Sequence, residues 1–425
     1  MLSVGEKYTI RIEDVNIFGN GVCRVDNVVT FVENGLTDEI CEIEIISVNK
    51  SYAYAKAIKI IEESPHRVKP ICKHFRKCGG CSFLHTTIEQ ENKIKENYVK
   101  KAFQKAGIFI NVEDICSPTE REYRNKIALF YDGCGFGYNR VNTNNIVTHE
   151  RCMLNCELFD KITNESANLL KNSSVRALSL RKTTENEITA CLVFENKYDL
   201  TNYIKNITSM FPQIKNIFYS LCKDEAVVFE KQQYILAYGE GYIYDKICGL
   251  DFRISPESFY QINHLCAEKL YEKVVSLASL NKDSKCADLF CGTGTIGIIC
   301  AKRTGAEVYG VEIIEKAIDD ANYNASLNNV KNVHFKAQDA SKFKENVDVA
   351  IIDPPRKGLS KMMLDTLLRL KPSKIVYVSC NVDTQVRDIK MLSSEYEISS
   401  PVSIFNMFPK TSHVESLVCL MKQTN

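Results

Sequence analysis

Three groups of residues in this 425-residue chain are of types that do chemistry. The first is Cys72-x5-Cys78-Gly79-Gly80-Cys81, three thiols within ten residues, with two glycines that let the chain wrap closely. Closely spaced cysteines bind zinc, or an iron–sulfur cluster when a fourth thiolate comes from elsewhere. The second group lies near the C-terminus. Cys380-Asn381 closes the apolar run KIVYVS, which reads as a strand. A thiol at a strand end lies where ligands bind to α/β sheets, and with an intrinsic pKa of about 8.5 it is a nucleophile once locally activated. Glu415, flanked by Val414 and Leu417-Val418, is expected to be partly shielded and suited to proton transfer, with His413 beside it structural. The third group begins where CADLF runs into CGTGTIG: Gly292, Gly294 and Gly297 permit a tight turn and close approach of a ligand to a helix N-terminus. Glu312, 18 residues past Gly294, ends the next strand, where a carboxylate accepts hydrogen bonds from ribose hydroxyls. Gln338-Asp339 ends a third strand, within reach of an adenine edge, and Asp353-Pro354-Pro355 ends a fourth. A dinucleotide oxidoreductase would also fit strand, glycine turn and acid.

The elements that must position these groups fall into three segments. Residues 1–64 alternate apolar and polar positions in short runs separated by glycine-containing turns, which predicts a small β-barrel. Residues 65–252 form a central, mixed, β-rich region, and within it TIEQENKIKENYVKKAFQKAG predicts a helix over about 86–106 that can pack on the catalytic domain. Residues 253–425 alternate strand and helix, the pattern of a doubly wound, Rossmann-like parallel sheet. The class is therefore α/β.

Composition narrows the function. With 45% apolar and 25% charged residues the chain is an ordinary globular one, and 54 Lys+Arg against 53 Asp+Glu excludes a polycation. A local nucleic-acid surface remains: residues 1–64 hold 6 basic and 11 acidic side chains, whereas 65–110 hold 10 basic and 3 acidic. No run of 18 apolar residues predicts a membrane span and no export signal is evident, so a cytoplasmic location is expected. Disulfides are then the wrong reading of the 18 cysteines. Isolated ones such as Cys191, Cys248 and Cys300 read as small buried hydrophobes.

The Asp353-Pro354-Pro355 motif looks like the arrangement of S-adenosylmethionine-dependent methyltransferases, and Arg356, where an aromatic follows in amino-methylating enzymes, argues against adenine-N6 chemistry. Carbon 5 of a pyrimidine is too weak a nucleophile for a sulfonium methyl; a thiolate added at carbon 6 makes an enolate that is strong enough, and a base must then remove the carbon-5 proton. Taken together, SFYQIN, DLFCGTGTIG, GVEI, IIDPPRKGL, YVSCN and FPKTSHVE resemble the RNA uracil-C5 methyltransferase family. That resemblance implies Cys380 as nucleophile, Glu415 as base, and Gln261, Phe290, Glu312 and Asp353 as cofactor contacts beside Gly292, Gly294 and Asp339. It also implies base flipping of the target uridine. C-x5-C-G-G-C is similar to the 4Fe–4S motif of the family's ribosomal-RNA branch, with Cys152 matching the fourth ligand and Cys156 as competitor. Gly19-x-Gly21-Val22, TFVENGLTDE and SYAYAKA resemble a TRAM domain, whose acidic balance leaves Lys7, Arg11 and Arg24 as expected RNA contacts. Because the transfer-RNA branch typically lacks barrel and cysteine cluster, 23S ribosomal RNA is the expected substrate, bound by a monomer. The rival readings are 5-methyluridine formation in transfer RNA, cytosine-C5 methylation, and a non-catalytic iron–sulfur RNA-binding protein.

Overall fold

The computed structural model describes residues 2–423, apart from 142, 225 and 257. The N-terminal strands build one six-stranded sheet in the order Lys7–Arg11, Ile40–Val48, Tyr52–Glu62, Val28–Glu33, Gly21–Val25, Asp14–Val15. Its two end strands are separated in the chain only by Ile12 and Glu13, so the sheet must curl until its edges meet within a few residues' reach. Alternation fills the interior: Cys41, Ile43 and Ile45 of one strand point inward onto Ala53 and Ala55 of the next.

A seven-stranded sheet follows, from Ile235–Tyr238 through Ile214–Leu221, Ile188–Phe194, Val175–Lys182, Lys126–Tyr131 and Phe136–Asn139 to Ile146–Thr148. Two helices beyond the one predicted for this mixed region, Glu157–Leu169 and Thr201–Met210, cover it through Phe159, Ile162, Tyr203 and Ile207. A short 3-10 turn, Phe229–Lys231, precedes the edge strand Ile235–Tyr238. The break expected after residue 252 falls inside the strand Leu250–Ile254. Its hairpin with Ile243–Ile247 packs Ile243, Ile247, Phe252 and Ile254 into the core of the C-terminal sheet.

The last sheet holds the strand ends on which Glu312, Asp353 and Cys380 lie. Its order is Val333–Ala337, Glu307–Glu312, Lys285–Leu289, Val349–Ile352, Lys374–Ser379, Glu415–Lys422, Tyr396–Ile398, with Ser403–Phe405 also paired to Glu415–Lys422. The first five strands are parallel, so their C-terminal ends line one edge; Glu415–Lys422 runs antiparallel and brings its first residue to that same edge. Strand side chains alternate between two cores. Ile351, Val376 and Val378 meet helices His264–Ala278 and Thr295–Thr304 on one face. Ala350, Ile352, Ile375 and Tyr377 meet Lys361–Leu370 and Val382–Leu392 on the other. This second face is also covered by Ile88–Lys105, which reaches it from the central region with Val99, Ala102 and Phe103, the buried Val and Phe each contributing roughly 1.5–3 kcal/mol. The Thr87 hydroxyl caps that helix, and Gly107, at φ +81°, ends it. Among the described residues, no helix is long and apolar enough to cross a membrane.

Candidate active site

A pocket of about 850 Å³ opens along the C-terminal edge of the parallel strands. Gln261, Phe290, Gly292, Glu312, Asp339, Asp353, Cys380 and Glu415 all line it, which is every residue expected to bind cofactor or act on substrate except Gly294. The turn after Lys285–Leu289 is strained. Phe290, not a glycine, holds φ +69°, and both its N–H and that of Cys291 donate to the Val311 carbonyl at 3.0 Å. Gly292 follows at φ +52° with nothing within 4 Å of the place a Cβ would take, leaving its backbone open to a ligand. Gly294 does a different job. It caps helix Thr295–Thr304 at φ +78°, and a Cβ there would lie 2.6 Å from Phe335. Asp288, which sequence reasoning passed over within CADLF, is buried and accepts the Gly297 N–H at 2.8 Å, pinning the glycine turn to its strand.

The acids are held in place by their own backbones. Glu312 Oε1 accepts from the N–H groups of Ile313 and Ile314 at 2.8 and 3.1 Å, and Asp339 Oδ1 accepts from Ser341 N–H and hydroxyl at 2.9 and 2.8 Å. Gln261 is buried, and its carbonyl accepts from Asn125 Nδ2 at 2.8 Å. The pocket also exposes Phe259 and Ile313, 71% and 70% accessible, apolar surface suited to the face of a base or ribose. Single exposed hydrophobes are common, so nothing in their spacing marked them beforehand.

Cys380 and Glu415 are brought together by strand register. Lys374–Ser379 pairs antiparallel with Glu415–Lys422, from Lys374 opposite Met421 to Ser379 opposite Ser416; one further step sets Cys380 across from Glu415. Glu415 is only 5% exposed, more enclosed than its neighbours implied, and burial together with the Asp353 charge pushes its carboxyl well above the ordinary range, Arg356 opposing. Cys380 is half-buried; burial, then Glu415 and Asp353, push its thiol up to about 11, again against Arg356. Burial raises Asp353 to about 7. Arg356 is thus the counter-charge of the pocket, and its carbonyl is fixed by Asn381 Nδ2 at 2.9 Å and by the Thr384 hydroxyl at 3.3 Å. Burial lowers His413, which packs edge-on against Phe408, so it is neutral at pH 7. A thiol and an enclosed carboxyl therefore line the same pocket at the ends of the parallel strands.

The cysteine cluster lies apart. Cys72, Cys78, Cys81 and Cys152 border one small cavity of about 30 Å³ with Arg124, Tyr138, His74 and His149, while Cys156 sits outside it as the N-cap of Glu157–Leu169. As they stand, no three His, Cys, Asp or Glu side chains among the described residues form a set that could hold a metal ion. Four thiols converging on one cavity nevertheless match the ligand number of an iron–sulfur cluster. Arg124, stacked on Tyr138 and donating to its hydroxyl at 2.9 Å, supplies a cation beside them. The Arg124 strap runs on to the active site: Asn125 N–H donates to Ile262, and the Tyr123 hydroxyl donates to the Pro409 carbonyl at 3.0 Å.

Comparison with known proteins agrees with this arrangement. Residues 141–423 match the profile of the tRNA (uracil-5-)-methyltransferase family, and residues 2–58 match that of the TRAM domain. A protein of Bacillus cereus named as an uncharacterized RNA methyltransferase is 34% identical over 96% of this chain and 95% of its own. One from Staphylococcus aureus is 32% identical over 96% of each. Among solved structures, the tRNA (uracil-54, C5)-methyltransferase of Pyrococcus abyssi, in complex with S-adenosyl-L-homocysteine, superimposes with a TM-score of 0.79 at 27% identity, covering 97% of this chain and 100% of that one.

Proposed function

The chain belongs to the tRNA (uracil-5-)-methyltransferase family, an RNA methyltransferase with an N-terminal TRAM domain, and from that premise we propose that it methylates carbon 5 of a uridine in structured RNA. The observation that carries the reading is the apposition of Cys380 and Glu415 at the edge where Glu312 and Asp353 can hold a cofactor. S-adenosylmethionine, when bound, supplies an electrophilic methyl. Glu312 would hold its ribose and Asp339 its adenine, with Gly292, Phe290, Gln261 and Asp353 as the other contacts; that all of them line one pocket supports this reading. The Cys380 thiolate adds to carbon 6 of the uracil, so that carbon 5 becomes nucleophilic and accepts the methyl. Glu415 then takes the carbon-5 proton, and the pair of electrons released expels the Cys380 thiolate, restoring the double bond. A raised carboxyl pKa suits this role, because it makes Glu415 a stronger base than a solvated glutamate.

Cys72, Cys78, Cys81 and Cys152 are the proposed ligands of a 4Fe–4S cluster, supported by their shared cavity and by the Arg124 cation beside it, which suits an anionic centre. A groove of about 1280 Å³ supports RNA as the partner. It joins Phe18, Phe31 and Tyr54 of the curled sheet to Arg76 and Arg140, and it reaches Ser412 next to the active site. Aromatic faces interleaved with arginines suit unpaired bases. Lys7, Arg11 and Arg24 do not line this groove, and Arg11 is paired to Asp38 at 3.2 Å.

For the substrate, 23S ribosomal RNA is the first reading, resting on the barrel and cysteine cluster. A transfer RNA is the second, favoured by the Pyrococcus abyssi enzyme, which is named for tRNA position 54 and aligns over 97% of this chain. Incubating the protein with S-adenosylmethionine and transcripts of each RNA, then measuring 5-methyluridine by mass spectrometry, separates the two. No 5-methyluridine in either RNA contradicts the function.

A further inference from the structure

The helix Ile88–Lys105 does more than cover the sheet. Lys95 and Glu91, one turn apart, are both fully enclosed and paired at 2.8 Å. Among the described residues, their other side-chain hydrogen bonds go to one distant segment, while Lys95 Nζ also lies over the Phe83 ring. Lys95 Nζ donates to Asn406 Oδ1 at 2.6 Å and to the Phe408 carbonyl at 3.3 Å. Glu91 Oε1 accepts from Asn406 Nδ2 at 3.1 Å and from the Lys410 N–H at 2.8 Å. Asn406 follows directly on Ser403–Phe405, whose Phe405 pairs with Glu415. Residues 406–414 therefore leave the strand beside Glu415 and return to it, and the helix grips that excursion at three points. One turn further along the helix, the Tyr98 hydroxyl donates to Asp383 Oδ2 at 2.9 Å, at the start of Val382–Leu392 and three residues beyond Cys380.

An enclosed Lys–Glu pair is a poor way to gain stability, since apolar residues of similar volume commonly hold a fold as well or better. What directional hydrogen bonds supply is position. We propose that this helix is a brace for the catalytic pair, with Lys95 and Glu91 as positioning residues for the segment that carries Glu415, and Tyr98 as one for the segment that carries Cys380. The inference rests on the function proposed above, and it gives the helix a kinetic signature that packing alone does not.

Lys95→Met keeps the length of the side chain and removes its bonds to 406 and 408. The full-length protein carrying it, assayed with RNA and radiolabelled S-adenosylmethionine, is expected to lose at least tenfold in kcat with KM for S-adenosylmethionine changed less than twofold, and to accumulate methylated protein–RNA adduct because proton removal has become slow. Asn406→Ala, which leaves the helix intact, is expected to do the same, and it provides the test if Lys95→Met does not fold. Tyr98→Phe is expected to slow adduct formation instead, without methylated adduct building up. An active wild type beside a folded Asn406→Ala with wild-type kcat and no adduct overturns the brace alone. A wild type that methylates no uracil overturns the function and the brace together.

Discussion

Cys380 and Glu415 stand opposite each other one step beyond the last pair of an antiparallel ladder, Ser379 with Ser416. The proposed nucleophile and base are thereby set by backbone register rather than by loops, and the cost is electrostatic. Burial and two neighbouring carboxyls push the Cys380 thiol up to about 11, so the thiol form predominates at pH 7 in the free protein.

Alkylation of Cys380 by iodoacetamide, followed by peptide mass spectrometry, should therefore accelerate steadily from pH 7 to pH 10. Glu415→Gln removes a carboxyl whose charge opposes the thiolate and should lower the thiol pKa, raising the rate wherever that carboxyl is ionised. Arg356→Gln removes a cation that favours the thiolate and should lower the rate. Equal rates in all three proteins would show that these charges do not reach the thiol.

The same carboxyl should weaken the fold as pH rises. Glu415 has a folded pKa above its unfolded one, so the native state binds the proton more tightly, and stability falls as pH rises past the unfolded value of about 4.3. Glu415→Gln removes this penalty. Its melting temperature should match the wild type near pH 4 and exceed it once the pH has risen past the ordinary carboxylate range; a gap independent of pH would contradict the raised pKa.

Two glycines two residues apart should fail differently. Gly294→Ala forces a Cβ to within 2.6 Å of Phe335 at φ +78°, costing about 1–3 kcal/mol, visible as a lower melting temperature of the free protein. Gly292→Ala meets nothing within 4 Å in the protein but intrudes on the open side of the pocket. It should leave the melting temperature within a few degrees and weaken S-adenosylmethionine binding, measured by calorimetry, about tenfold or more.

This contrast marks what was legible in the sequence. Strand ends carrying Glu312, Asp353 and Cys380 follow from alternating strand–helix pattern alone, because parallel strands must share an edge. The motifs could not separate Gly292 from Gly294, since ligand approach and helix–sheet contact both ask for glycine. Asp288, Arg356 and the Lys95–Asn406 bond were not legible either. Each acts through a partner 9 to 311 residues away, and no local period encodes that. The helices Glu157–Leu169 and Thr201–Met210 were not anticipated within the region read as mixed and β-rich; their apolar faces are defined only by the sheet they cover.

Purified without oxygen, the protein should be brown and carry about four irons per chain. Replacing Cys72, Cys78, Cys81 or Cys152 by Ser should lose the iron, and Cys156→Ser, outside the cavity, should keep it. Stoichiometric zinc without iron would contradict the cluster.

The most direct measurement is denaturing gel electrophoresis of Glu415→Gln with its RNA and S-adenosylmethionine labelled in the methyl group. Glutamine keeps the shape of the side chain but cannot take the carbon-5 proton, so the chain should stop after methyl transfer with Cys380 still bonded to the base. Label should co-migrate with a protein–RNA band in Glu415→Gln and in no protein lacking Cys380. Release of methylated RNA by Glu415→Gln at the wild-type rate, or a labelled band that survives Cys380→Ala, would contradict the pairing of these two residues as base and nucleophile.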